Sequence, residues 1–216
     1  MQKRLVASDE LALDNVYVIP FELDEPLHSY PFSYKVFAVS ALQDFITPLP
    51  TTIIWLDPSA IILQEPGLLG LEDRRHIALR PVHVKNVGLR CDEEIDTYWS
   101  HIYNTVEVEH GDLYSVKSYV DQADLYPYYN CGIYEISPHS KVLSMWWDAF
   151  SKMVLDVQFQ ASHCGSILHK VFLHQSIFSA LICKYLSAED VRILPPEYGY
   201  PLHFHKNYPA CVSRCA

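Results

Sequence analysis

The sequence predicts a single α/β domain, because strand-like and helix-like segments alternate along the chain. The chain has 216 residues, 50% of them apolar, which is enough for one domain with a substantial core. The strongest strand signal is Ile53–Leu56, four large apolar residues typical of a strand buried on both faces. A long helical signal covers residues 141–155. We therefore expect residues 1–216 to form one domain in which helices flank a sheet.

In the N-terminal half, apolar spacing and prolines predict the elements. Residues 16–21 (VYVIPF) form a short β-type run, and the segment after them, rich in proline and acid, indicates a loop. Residues 34–45 carry a wide apolar stripe at helical spacing, which a Thr-Pro pair closes. After Ile53–Leu56 we expect a short strand at residues 61–63 and another at residues 76–82, where apolar and polar residues alternate.

The C-terminal half continues the alternation of helices and strands. The predicted elements are a helix at residues 95–106, a strand at 128–136, a helix at 141–155, a second long helix that begins near 163 or 167 and ends near 186, and a strand at 191–194. Gly132 lies inside a predicted strand, which suggests a close approach of the backbone to another group. Trp146 and Trp147 are expected to fix their helix on the sheet, with one ring buried and the other at its margin.

Asp57 is the most informative single residue of the chain. It follows the strand Ile53–Leu56 directly, and Pro58 stops the strand after it. Ligands of open α/β sheets bind in the crevice outside the carboxyl ends of the strands, so an acid at this position faces a ligand site. The alternative is that Asp57 only ends the strand and makes a turn with Pro58. This segment alone supports both interpretations equally.

Charge and composition exclude several classes of protein. The formal net charge is −10 without any basic run, which disfavours a nucleic-acid-binding protein because phosphate neutralisation requires clustered Lys or Arg. A phosphate ligand is still compatible, since a divalent cation, a helix N-terminus or a few placed basic residues can supply local positive charge. Six irregularly spaced cysteines, and the lack of an apolar run of signal-peptide or membrane-spanning length, predict a reduced cytoplasmic protein without a membrane span.

Four segments, taken in order, resemble glycosyltransferases of the GT-A type, especially glycogenin-like enzymes and related nucleotide-sugar transferases. The run IIWLDPSAII resembles the family's strand that ends in an Asp-x-Asp motif, and YPFSYKVFAVSAL resembles the helix before it. YYNCGIYEI resembles the family's aromatic-Asn-x-Gly strand. LHQSIFSAL, followed by ILPPEYGYPLH, resembles the helix that opens with a polar pair around Gln and the late loop that supplies His. The match spans roughly residues 30–205, and it implies a mixed, mostly parallel sheet flanked by helices.

The resemblance also implies roles for individual residues. Asp57 is the expected anchor for a metal ion or for the ribose of the donor. Asn130 and the backbone of Gly132 are expected to line the sugar pocket. Gln175, with its neighbour His174, is expected to contact the sugar or the phosphate from the start of a helix; a polar pair that only interrupts a helix at its solvent edge is the alternative.

Three further residues are candidates because of their charge. Arg80 and Lys85 are candidate phosphate ligands, although their segment is equally consistent with a solvated loop. Asp121, a few residues before the strand at 128–136, can orient an acceptor hydroxyl, and a solvated loop aspartate is the alternative.

The sequence departs from the GT-A pattern at the metal site and at the N-terminus. The second acid of Asp-x-Asp is Ser59 here, and a hydroxyl is a far weaker ligand than a carboxylate for Mn²⁺ or Mg²⁺. His203 and His205 point the same way in an extended segment, and one of them matches the family's metal-binding His. The expected Mn²⁺ or Mg²⁺ ligands are therefore Asp57, Ser59, His203 and His205, with exposed loop histidines as the alternative. Little chain precedes the Asp57 strand, so the region that binds the nucleotide base is expected to be abbreviated.

These observations predict a glycosyltransferase that moves a sugar from a nucleotide-sugar donor to an acceptor. The alternative is a non-catalytic, transferase-like domain that binds a glycan, a nucleotide or a partner protein, and Ser59 is its main support. A metal-dependent hydrolase fits less well, because the eleven histidines include no i, i+4 pair beside an acid. Only seven glycines occur, and there is no Gly-rich phosphate loop and no G-x-S-x-G elbow.

Overall fold

The structure is a computed structural model that describes residues 6–7, 16–42, 46–70 and 76–202. These residues form eight strands and five α-helices. In chain order the elements are β1 (Val6–Ala7), β2 (Tyr17–Val18), α1 (Ser33–Ser40), β3 (Ile53–Leu56), β4 (Ile77–Pro81), α2 (Thr97–Val106), β5 (Val116–Lys117), β6 (Asp124–Leu125), β7 (Tyr129–Ile136), α3 (Lys141–Leu155), α4 (Val157–His163), α5 (Ile167–Tyr185) and β8 (Val191–Ile193). The predicted alternation of strands and helices is confirmed.

The central sheet has four strands in the order β3-β7-β4-β8. Strand β7 is antiparallel to both of its neighbours, and only β4 and β8 pair in parallel. The expectation of a mostly parallel sheet is therefore wrong. Adjacent parallel strands need a long crossover connection, usually a helix. The described residues between β3 and β4 contain no helix, and these two strands are not adjacent, because β7 lies between them.

The direction of the strands determines where the site lies. Strands β3 and β4 are each antiparallel to β7, so their carboxyl ends lie at the same edge of the sheet as the amino end of β7. The pairing of β4 with β7 shifts register between Ala78 and Arg80, which places Arg80 opposite Asn130. This edge therefore brings together the end of β3, the end of β4 and the start of β7.

Helices α3 and α5 pack together and cover one face of the sheet, where the core lies. Tyr134 of β7 contacts Phe178 of α5 with ring centroids 4.9 Å apart, and Trp146 of α3 contacts the same phenylalanine at 4.5 Å. Trp146 is fully buried and Trp147 only partly, as the sequence predicts. Trp147 also meets Phe37 edge-on at 5.0 Å, which joins α1 to α3.

Several element boundaries match the sequence predictions closely, and two predictions are wrong. Helix α3 has the predicted bounds, and β3 has the predicted length. However, β3 is an edge strand whose Ile54 is 49% exposed, so it is not buried on both faces. Residues 61–63 form no strand, and their side chains are exposed. In the part of the chain that the structure describes, no helix is long and apolar enough to cross a bilayer.

Candidate active site

Asp57 follows β3 directly, and its carboxylate is held by two donors. Lys35 Nζ lies 2.8 Å from Oδ1 and 3.1 Å from Oδ2, and the indole Nε1 of Trp55 donates to Oδ1 at 2.7 Å. The backbone N–H of Asp57 donates to the carbonyl of Gly132 at 2.9 Å, which ties the residue to β7. The contacts with Lys35 and Trp55 fix the orientation of the carboxylate. Because the side chain is still 24% exposed, the carboxylate is also accessible to a ligand.

Asn130 and Gly132 of β7 lie beside this carboxylate. The amide oxygen of Asn130 accepts a hydrogen bond from the Gly132 N–H at 2.9 Å, so its NH₂ group points elsewhere. A β-carbon on Gly132 would lie 3.1 Å from Asn130 Oδ1 and 3.2 Å from Asp57 Oδ2. Glycine therefore permits the close approach of the two polar side chains, in agreement with the close backbone approach that the sequence suggests.

Lys35 is a member of the site that the sequence analysis missed. It lies on α1, is buried, and donates from Nζ to the carbonyl of Cys131 as well as to Asp57. The α1 helix buries Ser33, Lys35, Val36 and Val39. A lysine within the apolar stripe of the helix before the Asp57 strand is the signal that could have identified it, because a buried cation requires a partner.

Arg80 lies opposite Asn130 at the end of β4 and is only 1% exposed. Its guanidinium donates to the carbonyls of Pro81 at 3.1 Å and Gly199 at 2.6 Å, while Nε has no hydrogen-bond partner among the described residues. Burial lowers the pKa of Arg80 to about 10, so the group stays positively charged at neutral pH. A β-carbon on Gly199 would lie 3.6 Å from Arg80 Nε and 3.8 Å from Asn130 Oδ1, so both polar groups face the same point beside Gly199.

His174 and Gln175 lie in the interior of α5, not at the start of a helix, and both are buried. The His174 ring stacks on Phe32 with centroids 4.1 Å apart, and its Nδ1 lies 2.9 Å from the carbonyl of Val171. Burial, and then the charge of Lys35, hold the pKa of His174 well below its usual value. The predicted contacts of this pair with a donor stay predictions, but the expected position at a helix start is wrong.

Lys85 and Asp121 form a separate cluster in the loops after β4 and β5. Asp121 accepts hydrogen bonds from the backbone N–H of Lys85 at 2.8 Å and from the hydroxyl of Ser118. The ammonium of Lys85 lies 3.0 Å from the carboxylate of Glu93. Both side chains thus have local structural partners, and their proposed contacts with phosphate and acceptor stay predictions.

The residues around Asp57 fit an ammonium group better than a divalent cation. Both carboxylate oxygens already accept hydrogen bonds from Lys35 or Trp55, and Ser59 lies in an exposed turn after Asp57. Within the described residues, no group of three His, Cys, Asp or Glu side chains can hold a metal ion. His203 and His205 lie outside the described residues, so the predicted Mn²⁺ or Mg²⁺ site stays a prediction.

Comparison with known families identifies the class of protein. A family model described as Rhodobacterales glycosyltransferase domain matches residues 5–182, which is most of the chain and includes α1, the central strands β3, β4 and β7, and Asp57. No curated protein and no solved structure matches the chain significantly. The predicted resemblance to glycosyltransferases is confirmed, while the GT-A type stays a prediction. The chain belongs to the Rhodobacterales glycosyltransferase domain family.

Proposed function

We propose that the protein transfers a sugar from a nucleotide-sugar donor to an acceptor hydroxyl, and that the donor binds at Asp57, Asn130 and Gly132. The observation that carries this proposal is the accessible carboxylate of Asp57, fixed by Lys35 and Trp55 beside the polar groups of β7. Carbohydrate ligands present hydroxyls that need fixed acceptors and donors, and preorganised groups bind them at a lower entropy cost. The membership in a glycosyltransferase family supports the same conclusion.

Each side chain has a distinct task in this proposal. Asp57 accepts a hydrogen bond from a ribose or sugar hydroxyl, because Oδ2 carries only the longer contact with Lys35 and keeps acceptor capacity. Asn130 donates from its NH₂ group, since its oxygen is already occupied by Gly132. The bond from the anomeric carbon to the diphosphate oxygen breaks, and its electron pair stays with the diphosphate. A bond from that carbon to the acceptor oxygen forms, and the proton of the acceptor hydroxyl passes to the diphosphate that leaves. Positive charge at the site stabilises the diphosphate that leaves.

A non-catalytic binding domain is the second candidate. It is favoured by the same ion pair, because Lys35 neutralises the only acid of the Asp-x-Asp position and Ser59 replaces the other. A binding domain of this kind would hold a nucleotide or glycan without turnover. The two candidates differ in whether a bound nucleotide sugar is consumed.

A thermal-shift panel of nucleoside diphosphates and nucleotide sugars, each with and without Mn²⁺, tests the donor site. A ligand at about one hundred times its Kd stabilises the folded state by about 2.7 kcal/mol, which raises the melting temperature measurably. We expect Asp57→Asn and Asn130→Ala to reduce the shift, while Asp148→Asn, an exposed position on α3, leaves it unchanged. If both site variants keep the wild-type shift, the proposed site is wrong. Release of free nucleoside diphosphate then separates a transferase from a binding domain.

A further inference from the structure

We propose that Lys35 and Arg80, and not a divalent cation, supply the positive charge that holds the diphosphate of the donor. This inference rests on the proposed function, and it concerns the electrostatics of the same site. It departs from the expectation of Mn²⁺ or Mg²⁺ that the sequence resemblance raises. Three observations carry it: the ion pair at Asp57, the buried guanidinium of Arg80, and the position of Asn130 next to both Asp57 and Arg80.

The first observation is that Lys35 already neutralises Asp57. An unpaired carboxylate next to a diphosphate would repel it, so such a site needs a cation between the two. The ammonium of Lys35 lies 2.8 Å from Oδ1 and 3.1 Å from Oδ2, which is where a metal ion bound by this carboxylate would compete for the same lone pairs. The indole of Trp55 uses a further lone pair of Oδ1. A metal ion would have to displace a buried lysine.

The second observation is that Arg80 is a buried cation whose described hydrogen bonds all go to neutral carbonyls. Its donors reach Pro81 and Gly199, and Nε has no hydrogen-bond partner among the residues described. Within the part of the chain that the structure describes, no carboxylate pairs with Arg80, and a buried charge without a counter-ion is costly, as the lowered pKa of Arg80 also indicates. A phosphate oxygen would supply the missing charge, and the planar fork of a guanidinium matches the geometry of phosphate.

The third observation is that Asn130 lies next to both Arg80 and Asp57, the partner of Lys35. Arg80 is opposite Asn130 in the sheet, and Asn130 Oδ1 and Asp57 Oδ2 both lie within van der Waals reach of the same point above Gly132. Asp57 carries one negative charge, whereas Lys35 and Arg80 carry one positive charge each, so the three side chains together keep an excess of positive charge. The Gly199 carbonyl now occupies one donor of Arg80. In this proposal a phosphate oxygen replaces the Gly199 carbonyl as the acceptor for Arg80, which requires residues 194–202 to move.

Calorimetric titration of inorganic pyrophosphate tests the inference, since this probe carries the charge of a diphosphate without a base or a sugar. We expect binding to wild type in excess EDTA, with an affinity that Mn²⁺ changes less than about threefold, well below the tenfold that 1.4 kcal/mol represents. Lys35→Met and Arg80→Met are each expected to weaken binding at least about tenfold, the loss expected for one charge-assisted hydrogen bond. Lys117→Met is the matched control, because it removes a lysine from an exposed pair with Asp124.

Two controls distinguish a loss of pyrophosphate binding from a loss of folding. The double variant Lys35→Met with Asp57→Asn removes both charges of the buried pair, so it avoids an unpaired carboxylate, and it must still bind pyrophosphate more weakly than wild type. Circular dichroism of each variant checks that the fold persists. Binding that requires Mn²⁺, or wild-type affinity in folded Lys35 and Arg80 variants, overturns the inference. Turnover of a nucleotide sugar only with Mn²⁺ would overturn it and leave the proposed function intact, whereas no nucleotide sugar binding in either condition would overturn the proposed function as well.

Discussion

Gly132 is the residue on which the geometry at Asp57 depends most directly. The amide oxygen of Asn130 and the carboxylate of Asp57 approach it from two sides, and a β-carbon there would meet both at distances tighter than ordinary contact. Neither neighbour can retreat freely, because Asn130 accepts from the Gly132 N–H and Asp57 is tied to Lys35 and Trp55. The absence of a side chain at this position therefore keeps the polar groups of the site together.

We expect Gly132→Ala to weaken nucleotide-sugar binding at least about tenfold, because the added methyl group displaces Asp57 or Asn130 from its hydrogen bonds. The loss of folding stability is expected to be smaller, about 1 kcal/mol, since the site edge is partly open to solvent. Titration with the nucleotide sugar that stabilises wild type measures the first effect, and urea unfolding the second. Gly111→Ala is the control, because no heavy atom lies within 4 Å of its β-carbon position. Equal affinities for wild type and Gly132→Ala would contradict the prediction.

At the residue scale, the sequence predicted the acid and the strand of the site and named Arg80 as a candidate phosphate ligand, but it did not predict Lys35. Asp57 directly follows β3, Asn130 lies near the start of β7 and Gly132 lies inside β7; the local pattern locates these strands, and the structure brings the three residues together. Lys35 was missed because a lysine in a helix is normally solvated. Its burial depends on the packing of α1 against α3, which lets Lys35 reach the Cys131 carbonyl of β7. Long-range packing of this kind leaves no local signal except a charged residue within an apolar stripe.

At the scale of the element, side-chain caps mark the start of α2, α3, α4 and α5, whereas α1 follows Phe32, which makes no side-chain cap hydrogen bond. Asp96 accepts from the backbone N–H of Trp99 at 2.8 Å, and Asp156 accepts from that of Phe159 at 2.9 Å. Ser140 and Ser166 cap α3 and α5 in the same manner. Each cap satisfies a backbone donor that the helix leaves unpaired, which fixes the start of the helix against the sheet.

We expect Asp96→Ala to destabilise the protein by about 1 kcal/mol, the typical contribution of an aspartate N-cap. The reason is that the Trp99 N–H loses its acceptor at the start of α2, a helix that buries Trp99 and Ile102 in the core. Chemical denaturation measures the loss. Asp148→Ala, on the exposed face of α3, serves as the control and should not destabilise, because alanine has a higher helix propensity than aspartate. A destabilisation as large in the control as at Asp96 would contradict the role of the cap.

The elements that the sequence predicted best are those with a long local pattern. Helix α3 has its predicted bounds because apolar residues, among them Trp146, recur on one face of the helix over 15 residues, and because Ser140 caps its start. The antiparallel pairing of the central strands and the edge position of β3 were not predictable from local sequence. Both depend on the pairing of β3 with β7, which lies more than 70 residues later in the chain. Residues 61–63 have a strand-like composition but find no partner strand, and Leu63 is 85% exposed.

At the scale of the whole molecule, the sheet has one face covered by helices and another covered by loops. Tyr134 packs on α5, and Glu135, its neighbour on β7, points to the opposite face and accepts from the Gly70 N–H at 2.7 Å. On this loop-covered side, the hydroxyl of Tyr198 accepts from the Leu68 N–H at 2.8 Å. The loops after β3 and after β8 therefore meet each other, and the second of them also covers Arg80 through Gly199.

The stability of the whole molecule should depend on pH through His174. Burial, followed by the charge of Lys35, holds the pKa of His174 well below 6.5 in the folded protein. Just below pH 6.5, the imidazole of His174 is therefore neutral in the folded protein, whereas it takes up a proton in the unfolded chain. The free energy of unfolding therefore loses nothing to His174 above about pH 6.5. Below about pH 6.5, each pH unit lowers the free energy of unfolding by up to about 1.4 kcal/mol, until the pH reaches the pKa of His174 in the folded protein. Urea unfolding between about pH 7.5 and pH 5 should show this slope in wild type and in His139→Asn, an exposed control, but a smaller slope in His174→Asn, whose amide does not titrate. Identical slopes in wild type and His174→Asn would refute the assignment.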